Sequence, residues 1–139
     1  MKKTLLGCFF LLLVVLTACS SGKVTELSPD DVKVFVENEN SGFIYVKSAV
    51  STGQEQDEMI LREIERAAEN ENVDFYIFDP FTHEKFISEL GIGLYPQYLG
   101  FYQDGEKKSE VDLSDIDGED NIAYELRIFI ENVNYDYFE

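Results

Sequence analysis

Apolar residues fall into three patterns along the chain. The first is a block from position 5 to position 16, apolar except for Gly7 and preceded by Lys2 and Lys3. It is too short for a permanent transmembrane helix, which needs ~20 apolar residues. Its positive start and the small residues at its end give it the form of an export signal. The second pattern is the short continuous run, as in Phe43-Ile44-Tyr45-Val46 and Val73-Asp74-Phe75-Tyr76-Ile77-Phe78. Such runs predict strands covered on both faces. Residues 97–102, rich in aromatic side chains, predict a third strand, and the polar residues 107–112 a fourth near an edge. The third pattern has helical spacing. Val32, Phe35 and Val36 form one such set, Met59, Ile60, Ile64, Ala67 and Ala68 a second, and Ile122, Leu126, Phe129, Ile130 and Val133 a third.

Punctuation between these segments sets their limits. Ser28-Pro29-Asp30-Asp31 places an N-cap serine, a proline at the first helical position and acids in the first turn, so a helix is expected to about position 38. A long helix follows Ser51-Thr52-Gly53-Gln54-Glu55 and runs to about position 70, and a short one covers about 82–90. Asp104-Gly105 marks a tight hairpin. Asp117-Gly118-Glu119-Asp120 opens the last helix, and residues 20–27 read as a polar linker. The predicted order is αβαβαββα. A right-handed crossover makes the first two strands parallel, the hairpin adds an antiparallel pair, and the product is an α/β fold with a mixed four-stranded sheet and helices on both faces.

The export block ends in Leu16-Thr17-Ala18-Cys19, which resembles the lipobox of bacterial lipoproteins. That resemblance implies cleavage before Cys19 and a diacylglycerol on its sulfur, with palmitate-type acyl chains. The chain then divides into a signal peptide (1–18), a lipidated tether (19–27) and one domain (28–139). Buried acyl chains contribute ~0.8 kcal/mol per CH₂, and more than one anchors stably. The bilayer is thus the first expected partner. The expected location is the extracytoplasmic face of the cell membrane, of a Gram-positive cell by preference.

Charge and cysteine usage narrow the function. The chain carries 28 acidic and 11 basic residues, a formal charge of −17. Loss of the signal removes Lys2 and Lys3 but no acid and takes the charge to −19. Nucleic acid is an unsuitable partner, because its phosphates need Lys and Arg. The two cysteines are Cys8, discarded with the signal, and Cys19, consumed by lipid. No thiol is left for disulfide exchange, a structural disulfide or a Cys-based metal site.

Several motifs, taken in order and at family spacing, resemble the thioredoxin superfamily over roughly residues 28–133. After the strand at Phe43, Lys47-Ser48-Ala49-Val50-Ser51 leads into Thr52-Gly53-Gln54-Glu55 at a helix start. Thr52 and Glu55 stand where that family has its two cysteines, and Gly53 matches its common glycine. Asp79-Pro80 resembles the Asn/Asp-Pro after the next strand. The stretch from Gly93-Leu94-Tyr95-Pro96 through Asp104-Gly105 follows the family's cis-proline loop, strand and turn. The chain also resembles thioredoxin-like and bacteriocin-transport accessory lipoproteins of Gram-positive bacteria. The resemblance implies that Pro96 is cis and that Tyr95 offers its backbone N–H and C=O to a peptide as an added strand.

Thioredoxin chemistry needs a thiolate at the helix N-terminus and a second thiol to resolve the mixed disulfide. Thr52 and Glu55 supply neither, so no disulfide-exchange activity is expected, and no cofactor is implied. The expected function is a redox-inactive accessory module. It would bind an exported or surface protein or peptide through Thr52, Gly53, Gln54, Glu55, Tyr95 and Pro96. The alternative is a glutathione- or small-thiol-binding enzyme using the Thr52 hydroxyl. Thr52 is either the N-cap of the long helix or a donor to a ligand. His83, the single histidine, reads as a surface residue. The pairs Asp57-Glu58 and Glu63-Glu65 fit an exposed helix face. The acidic segment 112–120 partly resembles a calcium loop, but its spacing puts Leu113 and Tyr124 at ligand positions. It reads as a helix-capping turn, with weak cation binding left open. The aromatic tail 135–139 either packs on the last helix or forms a docking patch.

Overall fold

The computed structural model describes residues 21–83 and 87–139. The signal, the lipobox and Cys19 lie outside the described residues. The elements are β1 (Val24–Leu27), α1 (Pro29–Glu37), β2 (Gly42–Val46), α2 (Gln54–Glu71), β3 (Phe75–Phe78), α3 (Pro80–His83), β4 (Tyr98–Gln103), β5 (Glu106–Asp112) and α4 (Glu119–Tyr137).

The sheet has five strands in the order β1-β3-β2-β4-β5, not four. The additional strand is β1, from the segment expected as a polar tether. It pairs in parallel with β3, Val24 opposite Phe75 and Leu27 opposite Phe78. Only Leu27 of its four residues is buried. Main-chain bonding to a neighbour thus holds an edge strand of which one side chain in four is buried. Beyond it, β2 and β3 are parallel, while β4 runs antiparallel to both β2 and β5.

Phe43 sits at the centre of the sheet. Register places it opposite Phe75 on one side and Phe101 on the other, and its ring centroid lies 5.2 Å from each. Cross-strand aromatic pairs of this kind contribute beyond their buried area. This face packs against α2 through Ile60 and Ile64 and against the buried stripe of α4, Ile122, Leu126, Phe129, Ile130 and Val133, which matches the predicted inner face. The opposite face, with Ile44, Val46, Phe78 and Tyr102, is covered by Val32 and Phe35 of α1 and by Leu90, Ile92 and Leu94. Helices therefore do cover both faces.

Local signals held at several ends. Ser28 caps α1 in a capping box with Asp31. Asp104 and Gly105 both take positive φ, 53° and 74°, as a type I′ hairpin requires. Of the helix expected over 82–90, residues 84–86 lie outside the described residues. The described ones form the end of α3, capped by Asp79 through the Thr82 N–H and hydroxyl (both 3.0 Å), and a 3₁₀ turn at Ile87–Glu89. Of the aromatic tail, Tyr137 belongs to α4 and packs on Phe101 at 5.3 Å, while Tyr135 is exposed.

Candidate functional site

Parallel strands β1, β3 and β2 all end on the same side of the sheet, and the candidate residues gather there. Beyond β2 the chain is fastened residue by residue. The Lys47 N–H donates to the Phe78 carbonyl at 2.9 Å, and its ammonium pairs with Asp79 at 2.7 Å. Burial works to raise the Asp79 carboxyl. The hydrogen bonds from Lys47 and Thr82 outweigh it and hold that group below its ordinary value. The Ser48 hydroxyl donates to the Val50 carbonyl (3.0 Å) and accepts the Val50 N–H (3.2 Å), closing the loop on itself. A 3₁₀ turn, Ser51–Gly53, then leads into α2.

Asp57, in the first turn of α2, ties this loop down. It is buried, and its carboxylate accepts the Tyr45 hydroxyl at 2.8 Å and the Ser48 N–H at 2.9 and 3.1 Å. Burial, and then the neighbouring Asp57 charge, push the Tyr45 hydroxyl far above its ordinary value, so it stays a proton donor. The exposed-face reading of the acid pairs is thus corrected for two of the four. Asp57 and Glu63 are buried, while Glu58 and Glu65 are exposed. Glu63 is paired with Arg66.

Gln97 joins this loop to the segment carrying Tyr95 and Pro96. Its N–H donates to the Val46 carbonyl at 2.6 Å, and its side-chain amide reaches the Gly53 carbonyl and Asp57 Oδ1, both at 3.3 Å. The peptide bonds among the described residues are all trans, so the expectation of a cis Pro96 is wrong. The physical reason lies in Gln97. It takes a left-handed φ of 63°, and the Tyr98 N–H closes on the Tyr95 carbonyl at 3.2 Å. A trans proline followed by a positive-φ residue makes a reverse turn without a cis bond. That turn occupies the Tyr95 carbonyl, one of the two backbone groups expected to pair with a peptide. The Tyr95 ring stays 66% exposed.

Thr52 is not the helix cap. The N-cap of α2 is Gly53, with no side-chain capping bond. The glycine is needed for space: a Cβ there would lie 2.2 Å from Ser48 Oγ. Thr52, Gln54 and Glu55 are exposed around it, and Val50 beside them is 57% exposed. A cavity of ≈ 420 Å³ lies next to Tyr95 and Pro96, lined also by Ile87, Gly91, Gly93 and Leu94.

The other candidates lie elsewhere. His83 is exposed and stacks on Phe78, 5.8 Å between centroids. In the acidic segment, Asp112 accepts the N–H and hydroxyl of Ser114 at 2.9 and 2.6 Å, and Gly118 rather than an acid takes the N-cap position of α4. Among the described residues no group of three or more His, Cys, Asp or Glu is arranged to hold a metal ion. Sequence reasoning missed Asp57, Ser48 and Gln97. A signal for Asp57 was present: it lies three residues before Ile60 and seven before Ile64, on the buried stripe of α2.

The fold is thioredoxin-like. No protein-family model matches the sequence, and no curated protein matches it either. Solved structures do match in shape. The J-Trx1 fragment of ERdj5 aligns with a TM-score of 0.51 at 11% identity, covering 80% of this chain and 52% of that one. The zinc-bound form of human ERp44 aligns with a TM-score of 0.50 at 17% identity, over 76% of this chain and 32% of that one. Spinach chloroplast thioredoxin f, in its long form, gives 0.51 at 17% identity, over 84% and 90%. The chain thus spans about half or less of the first two. At these identities the likeness is one of fold alone.

Proposed function

We propose that the mature chain is a lipid-anchored, redox-inactive thioredoxin-like module on the extracytoplasmic face of the membrane. It binds a protein or peptide at the sheet end formed by Thr52, Gly53, Gln54, Glu55, Tyr95 and Pro96. The observation carrying this reading is that the loop there is pinned by Asp57, Gln97 and the Lys47–Asp79 pair yet presents Val50 to solvent, with Tyr95 exposed on the adjoining turn. Rigid backbone around exposed apolar anchors is the arrangement of a binding surface, since little ordering remains to oppose association. With no cysteine at position 52 or 55 the site has no thiol to exchange. The sequence resemblance to accessory lipoproteins of export systems suggests an exported chain as the partner.

The test is in-cell photo-crosslinking from Gln54 and from Tyr95, with Glu65 on the exposed face of α2 as control. One dominant protein adduct at the first two positions, absent at the third, supports the reading. Equal adducts at all three mean that this face has no dedicated partner.

A further inference from the structure

The site and the point where the chain enters the domain lie at opposite ends of one helix. Gly22 docks where α2 ends: a Cβ on it would lie 2.1 Å from the Val73 carbonyl oxygen and 2.5 Å from that of Ala68. The Lys23 N–H donates to Asp74 at 2.9 Å, and its carbonyl accepts the Phe75 N–H at 2.8 Å. From Gly22 onward the chain is therefore fixed. Thr52, Gly53 and Glu55 surround the start of the same helix. Its 18 residues set the two ends apart by about 27 Å, at 1.5 Å per residue.

Cys19 precedes Gly22 by three residues, a reach of about 11 Å at full extension. A lipid on Cys19 thus holds the C-terminal end of α2 beside the headgroups, on a tether too short for the domain to turn over. The surface at that end is acidic. Glu37 ends α1 and Glu39 follows it, Glu71 ends α2, and Asp74 precedes β3. Asp104 joins it at the hairpin, where the Gly105 N–H meets the Asn40 carbonyl at 2.9 Å. The tether therefore holds this end down against electrostatic repulsion. Because residues 19–139 carry 28 acids against 9 bases, lying flat would bring still more negative charge within a Debye length, about 8 Å at physiological salt, of anionic headgroups.

We propose that the anchor presents the Thr52–Tyr95 end away from the bilayer, about a helix length above the headgroups. Its partner is then a polypeptide on the aqueous side, a soluble or exported chain, and not a membrane-embedded segment or a lipid headgroup. This rests on the reading that Cys19 is lipidated and that the site binds protein.

The experiment uses the full lipid-modified chain in phosphatidylglycerol-containing vesicles doped with a headgroup-nitroxide lipid. Since lipid consumes Cys19, Thr52→Cys and Asp104→Cys each carry a single thiol for a fluorophore. The expected result is several-fold stronger quenching of the probe at position 104 than at position 52. Equal or stronger quenching at position 52, with the chain floating with the vesicles, overturns the orientation. A chain that does not float overturns the anchor and this inference with it. Intact orientation without a crosslinked partner overturns the binding reading and the partner class inferred here, and leaves the geometry standing.

Discussion

The Tyr45 hydroxyl and the Asp57 carboxylate meet at 2.8 Å inside the core, joining β2 to the first turn of α2. Both side chains are buried, and the same carboxylate holds the Ser48 main chain. Removing one partner from such a group leaves buried donors without an acceptor, at about 1–3 kcal/mol each. Asp57→Ala strands the Tyr45 hydroxyl and the Ser48 N–H, so it should lower stability by about 3 kcal/mol. Tyr45→Phe, which leaves Asp57 bonded to Ser48, should cost about 1 kcal/mol. In urea unfolding the double variant should be less destabilised than the sum, because the two share one bond. Additive losses would show that they do not act together.

Space rather than hydrogen bonding governs Gly53. A methyl group there meets Ser48 Oγ at 2.2 Å and Ser48 Cβ at 2.5 Å. Gly53→Ala should therefore destabilise by about 1–3 kcal/mol, the usual range for overpacking, although alanine is the better helix former. Adding Ser48→Gly, which clears both atoms, should recover part of the loss. No recovery would place the cause in the backbone and not in the contact.

By contrast, Thr52→Ala should change stability by less than about 0.5 kcal/mol, as exposed substitutions usually do. A working N-cap threonine would cost about 1 kcal/mol. Thermal unfolding separates the two, and a loss of that size would restore Thr52 as the cap of α2 in place of Gly53.

Acid should weaken the fold in part through Asp79. Its carboxyl titrates below its ordinary value of 3.8 in the folded chain. Such a group binds a proton more readily when unfolded, so its stabilising contribution is present above 3.8 and is lost as pH falls through the lower folded value. Asp31, Asp112, Glu106 and Glu119 are shifted the same way. Asp79→Asn should make the acid limb of stability against pH shallower without abolishing it. An unchanged limb would remove the Lys47–Asp79 pair from the account.

How legible the molecule was in its sequence depends on how local each signal is. The interior strands, the stripe of α4, the Ser28 cap and the Asp104-Gly105 turn rest on residues close in sequence, and they were readable. Strand β1 was not, because its partner β3 begins 51 residues after Val24 and only Leu27 carries apolar burial. The trans Pro96 was obscured by the thioredoxin resemblance, which supplied a cis bond. What decides the turn is the left-handed Gln97, held by Val46, Gly53 and Asp57 from distant segments. Asp57 was misplaced because carboxylates rarely lie buried unpaired, and its partners Tyr45 and Ser48 come from the preceding strand and loop.

The Tyr95–Gln97 turn allows binding to be separated from folding. Tyr95 is largely exposed and touches Tyr98 at 5.5 Å between centroids. Tyr95→Ala should therefore leave unfolding within about 0.5 kcal/mol of the parent while removing an aromatic anchor of the kind that dominates interfaces. Gln97→Gly keeps the positive φ at no steric cost but deletes both amide contacts, so the turn should persist while its tie to Gly53 and Asp57 loosens. If the pinned loop carries recognition, each variant should reduce the adduct crosslinked from Gln54. Tyr95→Ala should do so with stability intact, and Gln97→Gly with faster amide exchange in the first turn of α2. Full crosslinking by both would move recognition off this turn, to the exposed Val50 side of the helix start.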